Sequence, residues 1–403
     1  MKILHTSDWH LGQNFMGKSR EEEHQAFFVW LLKTIQSNNI TILIVAGDIF
    51  DTTTPPNYAL ELYYNFLKKL STVEGLTTII TAGNHDSVST LRTSQQLLKA
   101  LNIYVIATGE EDNQIVPIYQ NDKLKMVVCA VPFLRDAILR KTVSNEGIRE
   151  REKLINSGIE KYYAEIHQKA IKQLKDKGLN QKEIPIVATG HLTTVGARSS
   201  ESERDIYIGG TLDIGGDFLG KYFDYVALGH LHRNQKVRLE HVCYSGSPIP
   251  LSFSEAKGIK KVNMVEFKEL KSRVVKVTPL EIPTSRPLLL LKGNVESIVK
   301  ELNSIEEKET WIEVQLTNDD NPFASNHTIR ALANKLGLTL LAVKIEKSEK
   351  KLESKEMNVI NLDELGVGEV FKKRLEMENL ESGDLKNELL NSFKKIVAKV
   401  ENR

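Results

Sequence analysis

The chain has 403 residues, 41% hydrophobic and 27% charged, with 54 Lys and Arg against 53 Asp and Glu for a formal net charge of +1. That length predicts two or three domains. The apolar content excludes wholesale disorder, and the neutral sum excludes capture of nucleic acid or anionic membrane by global charge, though not by a local basic groove. Cys129 and Cys243 are too few for a disulfide framework or a cysteine-rich zinc site. No apolar run approaches the ~20 residues of a membrane span. The opening Met1-Lys2-Ile3-Leu4 reads as a strand rather than a signal peptide, so a reducing cytoplasmic compartment is expected.

The first two-thirds alternates helices with short apolar strands, an α/β pattern. Glu21 to Ser37 and Asn57 to Leu70 are predicted helices. Ile42 to Ala46 is a continuous apolar run ending in Gly47, the mark of a strand buried on both faces. Thr77 to Ala82, Ile186 to Thr189 and Tyr225 to Leu228 read the same way and end at Gly83, Gly190 and Gly229. Pro283-Thr284-Ser285-Arg286-Pro287 looks like a linker. Beyond it a compact α+β unit is predicted: strands at Leu288 to Lys292, Trp311 to Leu316 and Thr339 to Ile345, helices at Asn294 to Asn303 and His327 to Leu336. Lys347 to Glu356 is a charge run, and Leu362 to Val400 is predicted as helix in two pieces. Leu385, Leu389, Phe393, Ile396 or Val397, and Val400 form an apolar stripe on the second piece.

The residues at the strand ends carry the chemistry. In chain order the tips are Asp8-Trp9-His10, Gly47-Asp48, Gly83-Asn84-His85-Asp86, Gly190-His191 and Gly229-His230-Leu231-His232. Ligands of open α/β sheets sit beyond the carboxyl ends of strands, so these tips predict one shared site. His, Asp and Asn without cysteine make a nitrogen and oxygen set suited to Mn²⁺, Fe or Zn²⁺. The donors are too many for one ion, whereas two ions sharing a carboxylate would use them and could clamp a phosphoryl group in transfer. Taken alone, Gly47-Asp48 or Gly190-His191 is an ordinary loop start; Gly-Asn-His-Asp arises by chance in roughly two of a thousand such chains.

These five motifs in this order resemble the calcineurin-like metallophosphoesterases. The resemblance is closer to one branch, the bacterial SbcD nuclease subunits, relatives of the Mre-type break-repair nucleases. It is carried by His5-Thr6-Ser7-Asp8-Trp9-His10-Leu11-Gly12, Gly47-Asp48-Ile49-Phe50-Asp51, Gly190-His191-Leu192-Thr193-Thr194-Val195-Gly196, Arg204-Asp205-Ile206-Tyr207-Ile208-Gly209 and Tyr244-Ser245-Gly246-Ser247-Pro248-Ile249-Pro250-Leu251-Ser252-Phe253. It implies a four-layer αββα sandwich over residues 1–283, a small α+β capping domain over 284–350, and a C-terminal helical segment over 351–403 that docks on an SbcC-type, SMC-like ATPase. It further implies two Mn²⁺, with Mg²⁺ as a substitute. Asp8, His10, Asp48 and His232 would hold one, Asp48, Asn84, His191 and His230 the other. His85 is the motif histidine left over, read as the group that protonates or stabilises the leaving sugar oxygen, with Asp86 orienting its ring. The implied activity is 3′→5′ exonuclease action on double-stranded ends and endonuclease action at hairpins, by a homodimer within a heterotetramer with the ATPase. The Mre-type relatives commonly place a histidine where Asp51 stands, so that position's role is not carried over.

Two rivals are weighed. Gly12-Gln13-Asn14-Phe15-Met16-Gly17-Lys18-Ser19 satisfies the phosphate-loop pattern of NTPases. It is set aside because Thr6 to His10, the run before it, is polar, and because an NTPase leaves His191, His230 and His232 without work. Lys18 and Arg20 are then read as contacts to DNA phosphates. The second rival keeps the metals and hydrolyses a phosphoprotein or a small phosphodiester. Arg92, Arg135, Arg140, Lys141, Arg149 and Arg151 could line a DNA groove or form an ordinary solvated surface. Of the other histidines (His5, His24, His167, His241, His327), all are read as packing or surface residues. His24, after three glutamates, is expected to face solvent. Trp9 is expected to pack beneath the site, and both cysteines to be inert core residues.

Overall fold

The computed structural model describes residues 1–139, 148–199, 202–203, 214–269, 272–317, 322–345, and residues 389, 392 and 393. Met1–Glu346 forms one compact unit and Lys347–Arg403 a second. The charge run, and the predicted tail helices apart from three residues that are helical, lie outside the described residues.

Two six-stranded sheets form the larger part of the first unit. One has the order Ser272–Glu281, Lys261–Glu269, Lys2–Thr6, Ile42–Ala46, Thr77–Thr81, Ile103–Ile106. Its last four strands are parallel, and a two-stranded antiparallel extension pairs on Lys2–Thr6. The other has the order Gln235–Val237, Leu239–Tyr244, Tyr225–Gly229, Ile186–His191, Lys123–Cys129, Ile115–Gln120. Its four inner strands are parallel and its two edge strands antiparallel.

Side-chain alternation builds the layers. Ile42 and Ile44 point between the sheets, where they meet Val187, Ala227 and Cys243 of the other sheet. Leu43 and Val45 point outward onto the helices Glu21–Ser37 and Asn57–Leu70. Ala188 and Val226 face outward onto the helices Ile148–Asp176 and Gly216–Tyr222. Both faces of each sheet are therefore buried, which explains the unbroken apolar runs. The result is the expected four layers. Cys129 and Cys243 are buried within it.

Glu21–Ser37 begins with three glutamates that complement the helix dipole. Its buried face carries His24, Phe27, Phe28, Leu31 and Ile35. His24 is therefore not on the solvent side as expected: the 24-27-28-31-35 spacing puts it on the apolar stripe. Gly12–Ser19 forms a small hairpin, with Asn14–Phe15 pairing Lys18–Ser19 across Gly17. A phosphate loop would instead wrap its backbone amides around an anion at the helix start, so the NTPase geometry is absent here.

After Pro283 the chain builds a separate three-stranded parallel sheet, Leu288–Gly293, Trp311–Leu316 and Thr339–Ile345. The helices Val295–Asn303 and Pro322–Leu336 are its crossovers and share a core with it. Asn294 caps the first by accepting from the Ser297 amide. Among the described residues no helix is long and apolar enough to cross a membrane.

Candidate metal centre

The carboxyl ends of Lys2–Thr6, Ile42–Ala46 and Thr77–Thr81 meet those of Ile186–His191 and Tyr225–Gly229, and all five motifs converge there. Backbone bonds lash the tips together. The Asp8 amide donates to Gly47 O at 3.0 Å, and the His10 amide donates to Asp48 O at 3.1 Å. The His230 amide donates to Asp8 Oδ1 at 2.8 Å, tying one sheet to the other. The His85 amide donates to Asp48 Oδ1 at 2.9 Å.

Four of the seven predicted ligands sit in left-handed backbone: Asp8 (φ 52°), His10 (48°), Asp48 (48°) and His230 (99°). Non-glycine residues adopt such angles rarely and at a cost of order 1–3 kcal/mol, and they cluster at functional sites. The effect is to turn each side chain off its strand line into the common centre. Glycines leave the room. A Cβ on Gly47 would lie 2.1 Å from His191 Nδ1, and one on Gly229 would lie 1.8 Å from Ala46 O.

Asp8, His10 and His232 bring donor atoms within 4.8 Å of one another, and so do Asp48, His191 and His230. Each group holds three members of one of the two four-residue sets that the resemblance implies. Asp48 Oδ2 lies 3.6 Å from His10 Nε2 and 3.2 Å from His191 Nε2, one nitrogen from each set. Asn84 Oδ1 lies 3.0 Å from His191 Nε2. A third group, His10, Asp51 and His85, is similarly close.

The donor chemistry fits cations. His191 Nδ1 must donate to Ala46 O, 3.0 Å away, because a carbonyl can only accept. Its Nε2 lone pair then faces Asn84 Oδ1 and Asp48 Oδ2. Three acceptors converge, and a proton or a cation belongs among them. Burial would lower the His191 pKa, but the Asp48 charge raises it to about 9. Burial would likewise raise Asp48, yet the surrounding His191, His10 and His85 hold it well below the usual carboxylate range. Burial and the neighbouring His191 push His230 well below its ordinary value, keeping it the neutral imidazole that coordinates metals. His10 Nδ1 lies 3.1 Å from Asp51 Oδ1, while its buried Nε2 has no hydrogen-bond partner among the described residues. An orphaned imidazole nitrogen 3.6 Å from a carboxylate oxygen is what a metal-binding pair presents.

Trp9 lies beneath the site as expected, fully buried, with Nε1 donating to Thr6 Oγ1 at 3.0 Å. His24 supports it, its Nε2 donating to Trp9 O at 2.7 Å, and burial lowers its pKa to about 4. His85 is half-buried, and its ring meets that of His10 edge-on at 4.9 Å.

Two expectations need correction. Asp86 does not orient the His85 ring: His85 Nδ1 donates to Asp51 O at 2.7 Å. The buried Asp86 carboxylate instead accepts from the amides of Gly83 (2.8 Å), Phe50 (2.9 Å) and Ile49 (3.1 Å), bracing the turns that carry Asp48 and Asn84. Arg20 is not available to DNA. It is buried, pairs with Glu23 at 2.8 Å, and lies against the rings of Phe15 and Trp311. Among the groove cations, Arg92 pairs with Glu111 at 3.2 Å. Arg135 is exposed and donates to Asp86 O at 3.3 Å, beside the site. Arg140 and Lys141 lie outside the described residues.

A family model described as "Calcineurin-like phosphoesterase" matches residues 1–234, and one described as "Type 5 capsule protein repressor C-terminal domain" matches residues 284–379. The chain is 41% identical over 390 residues to the SbcD subunit of the SbcCD nuclease of Escherichia coli (strain K12), covering 94% of both chains. The chain belongs to the SbcD family of nuclease subunits, within the calcineurin-like phosphoesterases. Two further SbcD relatives match at lower identity. The one from Rhodobacter capsulatus is 32% identical, covering 72% of this chain and 71% of that one. The one from Bacillus subtilis is 29% identical, covering 78% and 75%. As an SbcD-family protein the chain is a phosphodiester-hydrolysing nuclease with a divalent-metal site.

Sequence reasoning missed the residues behind the ligands. Asp51 has no assigned role in its motif, yet its carboxylate faces His10 and its carbonyl holds His85. His5 was not missed: read as packing or surface, it is a buried packing residue with Nδ1 2.9 Å from the Tyr225 hydroxyl. Ser202, Glu203 and Glu255 gather around His232 without any motif of their own, and their distance from it along the chain hides them from a sequence reading.

Proposed function

We propose that the chain is the nuclease subunit of a DNA-processing complex, acting on double-stranded ends and hairpins through a pair of divalent cations. The observation that carries this reading is the position of Asp48 Oδ2 between one imidazole nitrogen of each donor set. In this reading Asp8, His10 and His232 would hold one cation, Asn84, His191 and His230 the other, and Asp48 would serve both. Mn²⁺ suits this mixed nitrogen and oxygen set, with Mg²⁺ as a substitute. When bound, the pair neutralises phosphodiester charge and makes water a competent nucleophile near neutral pH.

The protein's own groups do the rest. His85 Nδ1–H is fixed by Asp51 O. The ring's other nitrogen can carry a proton to the leaving sugar oxygen, in the role of general acid. Asp86 acts one step back, holding the turns on which Asp48, Asn84 and His85 ride. Lys18 and Arg135 are exposed cations suited to contact phosphates along the strand.

The partner in this reading is an SbcC-type ATPase, supported by the E. coli relative's being named as one subunit of an SbcCD nuclease. Residues 1–283 act as the nuclease domain, 284–350 as the capping domain, and 351–403 as the helical segment that docks on the ATPase. A homodimer within a heterotetramer, working in the cytoplasm, completes the proposal. The test is incubation of the purified chain with Mn²⁺ and end-labelled hairpin DNA, alongside a small phosphodiester and an Asn84→Ala control. Cleavage of the hairpin, lost in the control, is expected. Hydrolysis of the small ester with intact DNA would overturn the assignment of substrate.

A further inference from the structure

The short 3₁₀ turn Phe253–Glu255 has two faces with different neighbours. Phe253 packs with Phe15, Leu288 and Trp311. Its ring lies 5.3 Å from that of Phe15, which stacks on Trp311 at 5.8 Å. Leu288 and Trp311 both belong to the three-stranded sheet. Two cations lock the joint. Arg20 lies 4.9 Å from the Phe15 ring and 5.4 Å from the Trp311 ring, and donates to Pro250 O at 3.0 Å. Arg286 lies 4.9 Å from Trp311 and pairs with Glu23 at 3.2 Å, the same carboxylate oxygen that pairs with Arg20.

Two residues on, Glu255 faces the metal centre. Ser202 Oγ donates to Glu255 Oε1. The Ser202 hydroxyl proton is thus committed, so at 2.6 Å its oxygen must accept from His232 Nδ1. That fixes His232 with Nδ1 protonated and Nε2 free. Lys260 closes the circuit: it donates to Glu255 Oε2, to Ser247 Oγ at 2.7 Å and to His232 O at 3.0 Å. Ser202 and Lys260 each bond both Glu255 and His232, and Glu255 rides on a turn whose other face seats a separate sheet.

We propose that the 3₁₀ turn Phe253–Glu255 is a positioning device that joins the three-stranded sheet to the metal ligand His232. Its Phe253 face registers the sheet. Its Glu255 face sets the tautomer and seat of the imidazole, so the seating of the sheet tunes one of the two cation sites. Glu255 and Ser202 are positioning residues; neither is placed to touch the substrate. The inference rests on the dinuclear reading of the centre. Partners that orient a metal-binding histidine are typically worth 10–100-fold in metal affinity, and remote members of a coupled network about 2- to 30-fold.

The test uses the full chain without nuclease assays. Mn²⁺ is titrated and the free ion followed by electron paramagnetic resonance, and the His232 tautomer is read in the metal-free protein by ¹⁵N–¹H correlation. Wild type should bind two Mn²⁺ and show His232 protonated at Nδ1. Glu255→Gln and Ser202→Ala should weaken one site about 10–100-fold, leave the other unchanged, and lose the single tautomer. Trp311→Leu, which touches none of these groups, should weaken the same site about 2- to 30-fold, and Trp311→Phe should restore it. Wild-type affinity at both sites in Glu255→Gln or in Trp311→Leu overturns the inference, as does equal weakening of both sites. Fewer than two Mn²⁺ bound by wild type would instead defeat the dinuclear reading beneath it.

Discussion

Gly47→Ala is a one-carbon perturbation that the structure places against a metal ligand. The added Cβ would lie 2.1 Å from His191 Nδ1, about 1.3 Å short of the 3.4 Å at which ordinary contact begins. The backbone at Gly47 has φ +90°, a further cost for any L-residue of about 1–2 kcal/mol. Backbone cannot give easily there, since Gly47 O accepts the Asp8 amide. The ring must move, and moving it breaks the His191 bond to Ala46 O inside the protein. An unsatisfied buried group costs about 1–3 kcal/mol, and overpacking another 1–3. These contributions overlap, and the expected loss is about 4 kcal/mol, a large value for a single methyl group. Gly75→Ala is the control. Gly75 has φ +72° and nothing within 4 Å of the added carbon, so it reports the conformational cost alone. Urea unfolding of the metal-free chains gives both losses, and Mn²⁺ titration reads the ligand. Gly47→Ala should be about 2–3 kcal/mol less stable than Gly75→Ala and should bind one ion much more weakly. If the two variants lost the same stability and both bound two ions as wild type does, the crowding around His191 would be refuted.

Asp86 and His85 should separate cleanly. Asp86→Ala strips the acceptor from the amides of Ile49, Phe50 and Gly83 and should cost about 3–6 kcal/mol in urea unfolding; an unchanged midpoint would contradict its bracing role. His85→Asn should keep fold stability and two bound ions while abolishing cleavage, and loss of the ions would show that His85 is a ligand rather than an acid. Acid should weaken the fold through histidines that are not ligands. Burial lowers His5 to about 3 and His24 to about 4, against 6.5 unfolded. The unfolded chain therefore takes up more protons below pH 6.5, and the stability present above that pH is lost between about 6.5 and about 4 for His24 and between about 6.5 and about 3 for His5. His24→Gln should flatten part of this slope in urea midpoints measured against pH; an identical slope would show that His24 stays solvated.

The sandwich and the metal centre were legible because both write themselves in local sequence. Apolar runs such as Ile42–Ala46 announce strands buried on both faces, and the polar residues after each glycine fall at their tips. Direction and distance could not be read. Nothing local shows that Asp8, His10, Asp48 and His230 adopt left-handed backbone. Asp86 sits beside His85 in sequence, yet its carboxylate turns to amides 36 and 37 residues away. Arg20 looked like a free cation in a basic hairpin because its partner Trp311 lies far along the chain. His24 was different: its spacing to Phe27, Phe28 and Leu31 placed it on the buried stripe, and the three preceding glutamates drew attention to the wrong face.

The central claim is that two donor sets share the Asp48 carboxylate. Anomalous diffraction from crystals soaked in Mn²⁺ tests it most directly. Two peaks are predicted, roughly 3.5–4 Å apart, one against His10 and His232, the other against His191 and His230, with Asp48 between them. A single peak, or a peak centred on Asp51 and His85, would contradict it.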